Sequence, residues 1–124
     1  MDFENKIAAR VLNICFAIHK EYGPGLFESV YERILCYELA KNDLDFERQY
    51  PINVIHDGIN MELGFRADII VEESVLIELK SISKLEEVHF KQVLTYLKLA
   101  RLKLGLLINF NETLLKNGIR RVVN

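Results

Sequence analysis

From Leu104 to Ile108 the chain reads Leu-Gly-Leu-Leu-Ile without a polar side chain. A strand that is apolar on both sides of its pleat must be covered on both faces, so this segment calls for helices above and below a sheet. The rest of the chain offers them. Ile7, Ala8, Val11, Leu12, Ile14, Cys15 and Ile18 recur at spacings of three and four, a helical stripe ended by Gly23-Pro24-Gly25. Phe27, Val30, Tyr31, Ile34, Leu35 and Leu39 form a second stripe reaching about Lys41. Ser83 with Glu86 three residues later predicts a capping box and a third helix to about Leu102. Its apolar face is Phe90, Val93, Leu94, Leu97 and Ala100, while His89, Gln92 and Tyr96 project along another side.

Between the second and third helices the period changes from helical to alternating. Tyr50, Ile52 and Val54 alternate with Gln49, Pro51 and Asn53, a strand that Pro51 assigns to a sheet edge. Asp57-Gly58 signals a hairpin, after which Gly64 to Val71 alternates with Phe65, Ala67, Ile69 and Val71 on one face. Val75 to Lys80 is a third strand, and Ile119 to Val123 a last one after the apolar run. The predicted order is α-α-β-β-β-α-β(-β), an α/β fold with a central mixed sheet flanked by helices. The third strand, long helix and apolar strand form a parallel, right-handed crossover. With 124 residues, 50% hydrophobic and 27% charged, the chain has the core of a single domain spanning 1–124.

The register of the second hairpin follows from matching opposite residues. With Glu73 at the turn, Val71 faces Val75, Ile69 faces Ile77 and Ala67 faces Leu79 on one apolar side. The other side pairs Ile70 with Leu76, Asp68 with Glu78 and Arg66 with Lys80; a one-residue slip would oppose Asp68 to Leu79. Opposed residues lie ~5 Å apart. At that distance and an effective dielectric of ~20, two carboxylates repel by roughly 3 kcal/mol, so a positive charge is needed beside them. One solution is a hard divalent cation such as Mg²⁺, held by two carboxylates, a carbonyl and waters. The other is a structural ion cluster in which Lys80 and Arg66 neutralise the pair.

Sixteen Lys and Arg against eighteen Asp and Glu give a net charge of −2, which excludes a global positive field as the basis of nucleic-acid binding. Cys15 and Cys36 lie among apolar residues without paired metal-ligand spacing and read as buried free thiols. The acidic, polar start Met1-Asp2-Phe3-Glu4-Asn5 carries no secretory signal, and no apolar run approaches the ~20 residues of a membrane span. These features point to the reducing cytoplasm.

Asp68, followed ten residues later by Glu78-Leu79-Lys80 on the next strand, resembles the PD-(D/E)XK nuclease superfamily, whose restriction-endonuclease-like core runs α-β-β-β-α-β. Gly25-Leu26-Phe27-Glu28-Ser29-Val30-Tyr31 resembles the defining motif of the GxxExxY protein family, and Gln92 with Tyr96 the RecB-like Gln-x-x-x-Tyr signature. Arg66-Ala67-Asp68 and Gly105-Leu106-Leu107-Ile108-Asn109-Phe110 extend the likeness over about residues 6 to 123.

The resemblance implies a Mg²⁺- or Mn²⁺-dependent nuclease in which Asp68, Glu78 and the Leu79 backbone carbonyl hold the metal. Lys80 would orient or help deprotonate the attacking water. Glu28 would join the metal directly or through water, unless it only complements the dipole of its helix. Gln92 would lie beside the site, unless it is a solvated helix residue. Tyr31 reads as core, and His89 as a site-edge or surface residue. Ala67 stands where the superfamily name has Pro. The implied partner is nucleic acid, DNA ahead of RNA, with no membrane; a homodimer or a partner protein would add the surface this small, slightly acidic chain lacks. The rival is a binding or regulatory module that keeps the fold without catalysis.

Overall fold

A computed structural model covering Met1–Asn124 contains three α-helices and a five-stranded mixed sheet. The elements are α1 (Asp2–Tyr22), α2 (Glu28–Lys41), β1 (Phe46–His56), β2 (Ile59–Val71), β3 (Val75–Lys80), α3 (Glu87–Ala100), β4 (Leu104–Asn109) and β5 (Ile119–Val123), with a 3₁₀ turn at Leu115–Gly118. This is the expected order, last strand included. The strands lie side by side in sequence order; β3 and β4 run parallel and the other neighbours antiparallel. β1 is an edge, as Pro51 requires. No helix is long and apolar enough to cross a membrane.

Two cores explain the apolar β4 strand, whose six residues are all buried. On one face α1 and α2 pack Val11, Cys15, Tyr31, Leu35 and Leu39 against Ile69, Ile77, Leu79, Leu106 and Ile108. On the other, α3 lays Val93, Tyr96 and Leu97 on Ile70, Leu76 and Leu107. Gly105 lets α3 approach: a Cβ there would lie 2.8 Å from Val93 Cγ1. Both cysteines are free and buried.

The structure corrects several expectations. Helix α3 starts later than Ser83 suggests: Glu86 is its N-cap, with its N–H donating to His89 Nδ1 at 2.8 Å. The box is built from Glu86 and His89 instead of Ser83 and Glu86. The helix stops at Ala100, before the left-handed Arg101 (φ 58°). Tyr96 is buried in the α3 core rather than set apart from it. β1 and β2 extend well beyond the predicted segments, around a tight turn in which Asp57 and Gly58 both have positive φ.

The most consequential correction concerns the faces of β1 and β2. Phe46 packs toward α1 and α2, yet Tyr50 and Ile52, also even-numbered, pack toward α3. On β2, Ile69 and Val71 face α1 and α2, whereas Ala67 faces α3 and Phe65 contacts Tyr96 of that helix. Strict alternation forbids both patterns, so each strand reverses its faces once. The reversal on β1 falls at Gln49, with φ 53°, and that on β2 between Ala67 and Ile69, at Asp68. Pairing is preserved on either side, with Arg48 opposite Ile69 and Tyr50 opposite Ala67. A coordinated reversal is invisible to a pattern argument that treats the hairpin as regular.

Candidate active site

The β2–β3 ladder keeps the predicted register through Val71–Val75, Ile70–Leu76 and Ile69–Ile77, then ends. Neither Ala67 with Leu79 nor Arg66 with Lys80 is a ladder pair, because the reversal at Asp68 turns β2 away from β3; Arg66 is instead paired with Pro51. Side chains close the gap. The Asp68 N–H donates to Glu78 Oε1 at 2.9 Å, and the Leu79 N–H donates to Asp68 Oδ2 at 2.8 Å. The two carboxylates thus satisfy, crosswise, the main-chain donors that the parting strands would leave unpaired. Asp68 Oδ1 and Glu78 Oε2 make no hydrogen bond, and no buried side-chain polar atom lacks a partner, so both atoms reach solvent.

This arrangement is electrostatically costly. Glu78 is 5% exposed. Burial first, then the Asp68 charge, push its carboxyl up from 4.5 to about 8, against the Asp68 N–H and Lys80. Burial pushes Asp68 from 3.8 to about 6, opposed by the Leu79 N–H and Lys80 and aided by Glu32 and Glu28. The pair therefore retains one proton near neutrality, chiefly on Glu78, unless a cation replaces it. Neither Lys80 nor Arg66 comes within 4.0 Å of an acid, so they do not form the structural ion cluster.

Glu28 opens α2, and its Oε2 accepts the Ser81 N–H at 3.0 Å, just beyond Lys80. The Ser81 hydroxyl donates to the Leu26 carbonyl at 2.7 Å, completing a stitch between the start of α2 and the end of β3. Tyr31 is fully buried and supports this loop. Its hydroxyl donates to Gly23 O at 2.5 Å and accepts the Leu26 N–H at 3.2 Å, while its ring stacks on Phe110 at 4.4 Å. The Gly25–Tyr31 segment is thus a device for presenting Glu28 beside the carboxylates. Gln92 lies one turn before Tyr96 on α3; the Tyr96 hydroxyl is pushed up by burial, then by Glu78 and Asp68, with Gln92 in partial opposition.

Two further buried polar residues support the site: Glu32, outside every motif of the sequence, and Asn109, within the Gly105-to-Phe110 motif. Glu32, 4% exposed, accepts from Arg48 Nε at 2.6 Å and from Gln49 Nε2 at 2.7 Å, clamping α2 to the point where β1 reverses. Its signal was a charge four residues after Glu28 and four before Cys36, on a face that otherwise turns inward. Asn109 Nδ2 donates to Ile82 O at 2.9 Å and its Oδ1 accepts the Ile82 N–H at 3.1 Å. With the Phe110 N–H donating to Lys80 O at 2.9 Å, it anchors the segment that follows Lys80.

A sequence model described as the PD-(D/E)XK nuclease superfamily matches residues 5–122. The chain belongs to the PD-(D/E)XK nuclease superfamily. No curated protein and no solved structure matches it. The mixed sheet between helices is consistent with the fold of this superfamily. Ala67, at the Pro position of the superfamily name, is fully buried at the reversal and paired with Tyr50.

The superfamily's nucleases generally use divalent metals. No three acid, histidine or cysteine side chains converge here as a ready-made metal cluster. The donor set nevertheless suits a hard cation: two neighbouring carboxylates, each with one oxygen that makes no hydrogen bond, are the oxygen ligands Mg²⁺ takes.

Proposed function

We propose that this chain is a Mg²⁺- or Mn²⁺-dependent nuclease that hydrolyses phosphodiester bonds of nucleic acid, acting as one domain. The observation that supports the reading best is the crosswise carboxylate pair at the parting of β2 and β3, with Glu78 buried and Asp68 half-buried, both raised in pKa and neither in an ion pair with a basic residue. Asp68, Glu78 and the Leu79 carbonyl would hold the cation, which when bound supplies Lewis-acid polarisation of the phosphate and a more acidic water. Glu28, already engaged by Ser81, would contribute through water. Lys80 is half-buried and carries no competing acid partner, which leaves its ammonium free to orient a water or to offset charge on the phosphate. Gln92 would act from α3 beside Tyr96.

Within the superfamily, the Gly25-to-Tyr31 segment favours the GxxExxY family, and Gln92 with Tyr96 a RecB-like arrangement. DNA is the preferred substrate in this reading, and the cytoplasm its setting. A second copy of the chain would enlarge the small binding surface: the far end of the β1–β2 hairpin exposes Ile55, Ile59 and Leu63, which a partner subunit would cover.

The deciding experiment is metal-dependent cleavage of labelled single-stranded and duplex DNA and RNA beside an Asp68→Ala control. Cleavage that needs both metal and Asp68 is expected. Binding without cleavage of any of the four substrates would favour the non-catalytic module.

A further inference from the structure

Net charge −2 gives this chain little with which to neutralise phosphates, so a strand held at the carboxylates must gain affinity elsewhere. Two exposed aromatic rings stand beside the site. Phe27 immediately precedes Glu28 and is 81% exposed, the most exposed large apolar residue of the chain. It borders a surface groove of about 480 Å³ shared with Leu26, Glu28, Ser29 and Ser81. Phe65 lies three residues before Asp68, is 42% exposed, and rests on Tyr96 with ring centroids 5.2 Å apart. That contact exists only because the reversal at Asp68 turns Phe65 toward α3.

Phe27 caps the start of α2 next to Glu28, and Phe65 lies on the α3 side of the sheet against Tyr96, whose hydroxyl feels the charges of Glu78 and Asp68. The acidic site thus has one exposed ring near it on α2 and another near it beside α3. Paired bases inside a duplex offer no free face to such rings, whereas every unpaired base does, whatever its identity.

We infer that Phe27 and Phe65 are stacking platforms for unpaired nucleobases beside the carboxylate site, so that its substrate is a single strand or a locally melted duplex. This rests on the nuclease reading and narrows it. Stacking supplies affinity that the surface charge does not, and platforms beside the carboxylates bring the phosphates of the bound strand to the site.

The test uses the full chain with Ca²⁺ and a fluorescein-labelled oligothymidylate of about twelve nucleotides, compared with a blunt duplex. Phe27→Ala and Phe65→Ala should each weaken single-strand affinity roughly 5- to 150-fold, the equivalent of about 1–3 kcal/mol per stacked base, and leave duplex affinity unchanged. The chain has no tryptophan, so Phe65→Trp adds a lone reporter at the α3-side platform, whose emission should be quenched as the oligothymidylate saturates. Parental affinity in both alanine variants, or tryptophan emission indifferent to bound oligothymidylate, overturns the inference while leaving the nuclease reading intact. Failure of the parent chain to bind either nucleic acid overturns both.

Discussion

Glu78→Gln tests the electrostatics of the site with the least disturbance to its shape. The amide keeps the volume and an oxygen able to accept the Asp68 N–H, but removes the charge. The ordinary carboxyl titrates at 4.5 and the folded one at about 8, so the folded chain holds this proton more tightly than the unfolded chain. Stability is then greatest below pH 4.5 and is lost as the pH rises toward 8. At pH 7 the unfolded carboxyl has already ionised, and the interval from 4.5 to 7, at about 1.36 kcal/mol per pH unit, amounts to roughly 3 kcal/mol. Metal-free Glu78→Gln should therefore be more stable than the parent by roughly 3 kcal/mol at pH 7, a rise in Tm of about 10 °C. Near pH 4 the two should be equal. Scanning calorimetry with chelator from pH 4 to 8.5 measures this. Excess Mn²⁺ should then raise the parent by about 3 kcal/mol at a hundredfold excess over its Kd, and leave the variant unmoved. A gain that is absent at pH 7, or constant across the pH range, would refute desolvation and repulsion as the source of the shift.

Calorimetric titration with Mn²⁺ should give no binding in the Asp68→Ala, Glu78→Ala double variant, and parental affinity there would remove the proposed metal site. Lys80→Ala should bind metal as well as the parent or better, yet cleave roughly 10²–10⁴-fold more slowly in single turnover at saturation; a parental rate would reduce Lys80 to a binding charge. Glu32→Ala leaves Arg48 and Gln49 without their acceptor and should lower urea stability by about 2–3 kcal/mol, so an unchanged midpoint would show the clamp to be idle. Light scattering should give a dimer mass for the parent and a monomer for Leu63→Asp, whereas a parent monomer at high micromolar concentration would dispose of the dimer.

The elements were legible because each obeys one period at a time. The stripes from Ile7 and Phe27, and the apolar run at Leu104, needed only the requirement that each buries one face or both. The hairpin register was legible where β2 and β3 pair regularly, from Ile69 to Val71. It failed beyond Asp68, where tertiary contacts outweigh alternation: Glu32 holds Arg48 and Gln49 from α2, and Tyr96 meets Phe65 from α3. The proximity of Asp68 and Glu78 was read from a regular ladder, but it arises from the ladder's end. Glu28 and Tyr31 were legible as a motif, while the Ser81 and Gly23 contacts depend on chain segments distant in sequence or on loop geometry.

The parting of the strands and the acidity of the site have a common origin. A regular antiparallel pair at Asp68 and Glu78 would satisfy its donors with backbone carbonyls, and the carboxylates would be free to turn into solvent. Because the reversal at Gln49 and Asp68 withdraws those carbonyls, the donors at Asp68 and Leu79 capture one oxygen from each carboxylate and hold both groups inward. Fixing them there incurs the desolvation and repulsion that raise both pKa values, and leaves one oxygen of each without a hydrogen bond. Restoring a regular ladder would relieve the strain on the charges and disperse the site. It would also return Phe65 to the α1 and α2 face, so the same reversal that concentrates the carboxylates sets the aromatic ring on their flank.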